Sequence, residues 1–156
     1  MPNSSITLHE TEETLRSIIQ NLIDDQEGFQ MIGNELKDET LKHYFLAESL
    51  RRAELRGELE NLLHQEGVHD VKERGTVAGA LHRAWGDLKV KLGGGDHSLL
   101  VTAEQAEDEA KRVYEEALEK ALDKEFPLPV RQLLSRQSAE IQASHDYVRA
   151  ARDASK

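Results

Sequence analysis

Residues 15–36 read LRSIIQNLIDDQEGFQMIGNEL. Apolar side chains fall at Leu15, Ile18, Leu22, Phe29, Ile32 and Leu36, a spacing of 3, 4, 7, 3 and 4. An α-helix turns once in 3.6 residues, so these positions form one stripe along a helix. The stripe predicts a helix from about Thr11 to Leu36, and Ile19 and Ile23 widen its apolar face as a bundle helix requires. The gap of 7 is a missed slot, and the residue standing in it is Asp25.

Beyond this stretch, Asp38 suits a helix N-cap. From Leu41 a second stripe runs through Phe45, Glu48, Arg52, Leu55, Leu59 and Leu62, ending near His64 with Gly67 as the stop. After a polar stretch, Gly75-Thr76 opens a helix carrying Val77, Leu81, Ala84 or Trp85, Leu88 and Leu92, and Gly93-Gly94-Gly95 ends it. Asp96 or Ser98 is expected to cap the next helix, whose stripe is Leu100, Ala103, Glu107, Ala110, Tyr114, Ala117 and Ala121. So many alanines imply a close helix approach. Phe126-Pro127-Leu128-Pro129 breaks the chain, because proline cannot continue a helix interior. The last stripe is Val130, Leu134, Gln137, Ile141, His145 and Val148, fraying after Arg152. No segment alternates long enough for a strand. The expectation is one all-α domain over residues 1–156, a four-helix bundle with an additional crossover helix between the second and third bundle helices. Residues 1–8 and 153–156 are expected to be flexible.

Composition agrees. Charged residues make up 32% of the 156-residue chain and aromatics 4%, the profile of long helices. There is no cysteine, which excludes disulfides, thiolate zinc sites and cysteine nucleophiles. The start, MPNSSITLHE, lacks the basic region and apolar run of a signal peptide, and no stretch approaches the roughly 18 apolar residues of a membrane span. A cytoplasmic protein is therefore expected. The net charge of −10 argues against nucleic-acid and anionic-membrane partners, since Arg83, Lys89 and Lys91, diluted by Asp87, are the nearest approach to a basic stripe. A homodimer is the partner expected from the general frequency of such assemblies.

The chemistry lies where polar residues interrupt the stripes: Asp25, then Glu48 and Arg52, then Glu107, then His145. The crossover helix has about 17 residues and would span roughly 25 Å, about the bundle's length. With that reversal the four positions Asp25, Glu48, Glu107 and His145 fall in one layer. Without it they split into two levels roughly 10 Å apart. Three carboxylates and an imidazole in a bundle are the material of a dimetal-carboxylate site suited to Fe or Mn. The other reading is an ion-pair layer of Glu48, Arg52 and Glu107: Arg52 lies one turn from Glu48 and can also satisfy Asp25 or Glu107, supplying the positive charge that a metal would.

The segments Asp24–Phe29 (DDQEGF), Thr76–Trp85 (TVAGALHRAW), Glu104–Asp108 (EQAED) and Glu140–His145 (EIQASH) resemble the ferritin-like superfamily, and more closely a bacterial four-helix-bundle family of unknown function within it. The resemblance spans most of residues 10–150. It implies a ferritin-like bundle and a metal set drawn from Asp25 or Glu27, Glu48, Glu107 and His145, with Glu27 kept because it lies in the DDQEGF motif. Glu107 seven residues before Tyr114 and Gln142-x-x-His145 resemble half of the superfamily's ligand pattern. In the other half Leu22 stands in the glutamate slot, and Glu48-x-x-Arg51 carries arginine where histidine belongs, or, in an alternative register, Arg52 and Leu55 fill the two ligand slots.

Two functions follow as expectations. One is a non-catalytic structural or interaction protein, stress-associated, with a degenerate metal site. The other is a di-iron or di-manganese oxidoreductase of the ferritin or rubrerythrin type. They part on whether Arg52 faces the bundle interior. Minor candidates read as structural: His43 and His97 as surface residues, His64 and His69 as solvated, His82 as interfacial, and Trp85 as core. Gly93–Gly95 lacks the Lys-Ser/Thr of a phosphate loop.

Overall fold

The structure, a computed structural model, describes residues 4–67 and 95–155. Four helices make up these residues: α1 (Ser4–Glu35), α2 (Glu39–Gln65), α3 (Gly95–Asp123) and α4 (Leu128–Ala154). The expected crossover helix over 75–92 lies outside the described residues, and so do His69, His82 and Trp85.

The stripes are the buried faces. Leu15, Ile18, Leu22, Asp25, Phe29, Ile32 and Leu36 of α1 are all buried, and so is every stripe residue expected on α3 and α4. On α2, Phe45, Arg52, Leu55, Leu59 and Leu62 are buried while Glu48 reaches the edge. α1 packs on α2 and α3 on α4 as two hairpins; α1 also meets α3, and α2 meets α4.

Two apolar clusters fix the helix directions. One joins Leu15–Leu22, Leu55–Leu63, Ala110–Ala121 and Val130–Ile141, with Phe126. The other joins Phe29–Leu36, Phe45, Leu99–Ala103 and Val148. Passing from the first cluster to the second means moving forward along α1 and α4 and backward along α2 and α3. Hence α1 and α4 run one way and α2 and α3 the other, and α2 ends at the opposite end of the bundle from where α3 begins.

Several ends differ from expectation. α1 starts at Ser4, well before Thr11, because its first turns put only Leu8 and Thr11 in the stripe and so carry little apolar signal. α4 continues to Ala154, into the tail expected to be flexible. Asp38 does cap α2, its carboxylate accepting from Leu41 N at 2.9 Å. Gly67, at φ +96°, follows α2 in the left-handed conformation that glycine adopts freely. Asp96 is used differently: its carboxylate accepts from Lys37 N at 2.9 Å and Asp38 N at 3.0 Å, tying the first turn of α3 to the α1–α2 turn. His97, expected at the surface, is half-buried and pairs through Nδ1 with Ser155 Oγ at 2.8 Å. Among the described residues no helix is long and apolar enough to cross a membrane.

Candidate functional site

Between the two clusters every helix contributes a polar side chain at one level. Arg52 of α2 stands at its centre, fully buried. Its Nε donates to Glu48 Oε2 at 2.7 Å, one turn back on the same helix. Its Nη1 donates to Asp25 Oδ2 of α1 at 2.9 Å. Its Nη2 donates to Glu107 Oε1 of α3 at 2.5 Å and to Ser144 Oγ of α4 at 3.2 Å. The Phe29 ring lies under the guanidinium, 4.7 Å from centroid to carbon, so a quadrupole covers the face that carries no N–H.

Three carboxylates surround one cation. Asp25 and Glu107 are fully buried, and Glu48 retains slight exposure. Burial alone would lower the Arg52 pKa, but the charges of Glu107, Asp25 and Glu48 outweigh it and raise it above the ordinary arginine value. Burial pushes the Glu48 carboxyl up, against the opposing pull of Arg52. Glu107 Oε2 is buried and has no hydrogen-bond partner among the described residues. Tyr44 closes the layer on the α2–α4 side. Its hydroxyl donates to Ser144 Oγ at 2.7 Å, burial raises its pKa, and its ring stacks on Tyr147 at 3.8 Å.

The sequence candidates therefore separate. Asp25, Glu48 and Glu107 come together around Arg52. Glu27 is exposed on α1, on the far side from the layer. His145 sits at the right level, but its ring turns to the α3–α4 edge, with Nε2 2.7 Å from Asp108 Oδ1 and Nδ1 3.1 Å from Asp146 Oδ1. That hydrogen bond from His145 lowers the Asp146 pKa. Among the described residues no group of three or more His, Asp and Glu has an arrangement that could hold a metal ion.

Sequence reading missed Ser144, Tyr44 and the role of Phe29. A signal for Ser144 existed. Gln137, Ile141, Ser144 and Val148 are spaced 4, 3 and 4, as good a stripe as the one through His145.

A family model described as a domain of unknown function (DUF2383) matches residues 10–120. The chain belongs to that family. Within the DUF2383 match lie Asp25, Glu48, Arg52 and Glu107, the whole charged part of the layer, while Ser144 and His145 lie beyond it. No curated protein matches the chain.

Proposed function

We propose that this DUF2383 chain is a ferritin-like bundle in which a guanidinium has taken the place of a dimetal centre, and that it acts as a non-catalytic structural or interaction protein of the cytoplasm, associated with stress. The observation that carries the reading is Arg52. It stands at the centre of the layer, in hydrogen-bond contact with three carboxylates from three helices. Two cations do not share one carboxylate cage, because each removes the negative charge that attracts the other. The remaining ligand candidates do not suit a metal either: His145 is engaged with two aspartates, and Glu27 faces away. That α2 ends at the opposite end of the bundle from where α3 begins supports the crossover helix expected over residues 75–92, and a homodimer is the partner proposed.

A second reading, the dimetal oxidoreductase, is favoured by the unpartnered Glu107 Oε2 and by the excess of carboxylates over cation in the layer. One experiment separates the two. Untagged protein is loaded anaerobically with Fe(II), and bound iron per chain is measured for the wild type, Arg52→Ala and Glu107→Ala. On the proposed reading the wild type retains no stoichiometric iron, and Arg52→Ala either unfolds or gains metal through the vacated carboxylates. Near-stoichiometric iron in the wild type, lost in Glu107→Ala, would overturn it.

A further inference from the structure

α2 carries a second stripe, on its outer side. Leu46, Leu50, Ala53 and Gly57 are spaced 4, 3 and 4, a heptad seam like those that the bundle buries. This one is left open. Leu50 is 67% exposed, Ala53 is half-buried, and Leu46 is half-buried where it packs on Gly33 of α1. A Cβ built on Gly57 would meet nothing within 4 Å among the described residues. Glycine weakens a helix interior relative to alanine, and no described neighbour needs the space it leaves. The stripe is thus bulky in its first half and small in its second.

Such a stripe is its own complement when reversed. Set antiparallel about a twofold axis between positions 51 and 52, Leu46 faces Gly57 of a second copy and Leu50 faces its Ala53, so each knob meets a hole. The same register sets His43 opposite Glu60 and His64 opposite Glu39. An imidazole carries an N–H in either tautomer, so each histidine can donate to the carboxylate it faces. On its own helix Glu60 accepts from Arg56 at 3.4 Å through Oε2, and a carboxylate offers two oxygens. Lys42 and Arg56 fall opposite Asn61 and Ala47, so no like charges meet. Slid seven positions either way, Leu50 faces Glu60 or Glu39 faces Gly57, and both His–Glu pairs are lost.

We propose that the outer stripe of α2 is the face on which two copies of this chain pair antiparallel, a proposal that rests on the homodimer reading above and names its interface. From Glu39 to His64 the contact runs roughly 38 Å at 1.5 Å per residue. With α1 lying beside α2 it is about two helices wide, which approaches the roughly 800 Å² per partner of a standard interface.

The test is sedimentation equilibrium of the full chain across micromolar concentrations, with far-UV circular dichroism to check that each variant folds. A wild-type dimer is expected. Leu50→Glu, at an exposed position, should raise its dissociation constant about 100-fold, because the charge is buried twice in each dimer. Gly57→Leu fills the hole with a better helix former and should weaken the dimer by a similar factor, about 100-fold, while keeping the helix content. The register is read by cross-linking, since the chain has no cysteine of its own. His43→Cys with Glu60→Cys in one chain should give a disulfide-linked dimer on mild oxidation. Each single variant, with its two cysteines roughly 25 Å apart along the axis, should not. A monomeric wild type overturns the homodimer and this face together. A dimer that neither Leu50→Glu nor Gly57→Leu weakens leaves the homodimer standing and overturns the α2 face. Cross-linking by either single variant overturns the antiparallel register.

Discussion

A guanidinium taken out of water needs hydrogen bonds to replace those it loses, and every nitrogen of Arg52 has found an acceptor. The weakness of the arrangement is that the three carboxylates depend on the same cation. Arg52→Ala should therefore cost about 3–5 kcal/mol, the usual penalty for leaving buried charge uncompensated, read as a shift of the urea midpoint. Arg52→Lys should recover only part of it, because an ammonium cannot present the planar fork that reaches three helices. Glu48 gives a second, independent test. Burial raises its pKa in the fold, so the folded state holds its proton more tightly than the unfolded chain does. Its contribution is complete below the ordinary glutamate range, about pH 4.3, and is lost as pH rises through the raised folded value. Relative to Glu48→Gln, the wild type should thus lose stability on going from about pH 4 towards neutrality. Parallel stability curves for the two proteins would show that Glu48 is not held protonated. Which of these residues the sequence reveals depends on geometry. A stripe position says that Arg52 and His145 are buried, but not in which direction a long or planar side chain turns. Arg52 turned inward and His145 turned sideways towards Asp108, an exposed residue outside any stripe.

At the scale of the helices the sequence speaks clearly, since an apolar residue every three or four positions can be buried only in one way. The stripes of α1, α3 and α4 were legible residue by residue for that reason. Ends were less so. A first turn with few apolar residues has no stripe to announce it, and a capping carboxylate such as Asp96 can serve a neighbouring turn as easily as its own helix. Close approach is another feature that composition hints at and only the fold locates. Gly33 of α1 lies against Leu46 of α2 so closely that an added Cβ would stand 2.7 Å from Leu46 Cδ2 and 3.3 Å from its backbone N. Alanine in a helix normally gains about 1 kcal/mol over glycine. Here the overlap should reverse the sign, and Gly33→Ala should lower stability by about 1–2 kcal/mol. Adding Leu46→Ala vacates the contested space, so the double variant should be more stable than the sum of the two single effects predicts. Strict additivity in thermal midpoints would mean that the helices do not touch there.

For the molecule as a whole, the layer divides what would otherwise be one continuous core into two apolar clusters, and it does so on all four helices at the same level. Each hairpin brings part of the charge. α1–α2 supplies Arg52 with Asp25 and Glu48, while α3–α4 supplies Glu107 and Ser144. A hairpin slid by one turn would still bury leucine against alanine, but it would strand Glu107 in an apolar cluster. The layer thus sets the level at which the hairpins dock, a role that need not add net stability. Replacing its three fully buried charges, with Asp25→Leu, Arg52→Met and Glu107→Leu in one chain and Glu48 left at the partly exposed edge, removes three desolvated charges together with the penalty each carries. The triple variant should unfold at the same or higher urea concentration than the wild type, by about 0–4 kcal/mol. It should also lose definition, with broadened or multiplied amide signals from the residues flanking the layer, as alternative dockings become close in energy. A triple variant less stable than the wild type would mean that the ion pairs themselves hold the bundle together. A stable variant with a single sharp set of signals would mean that the apolar stripes alone fix the register.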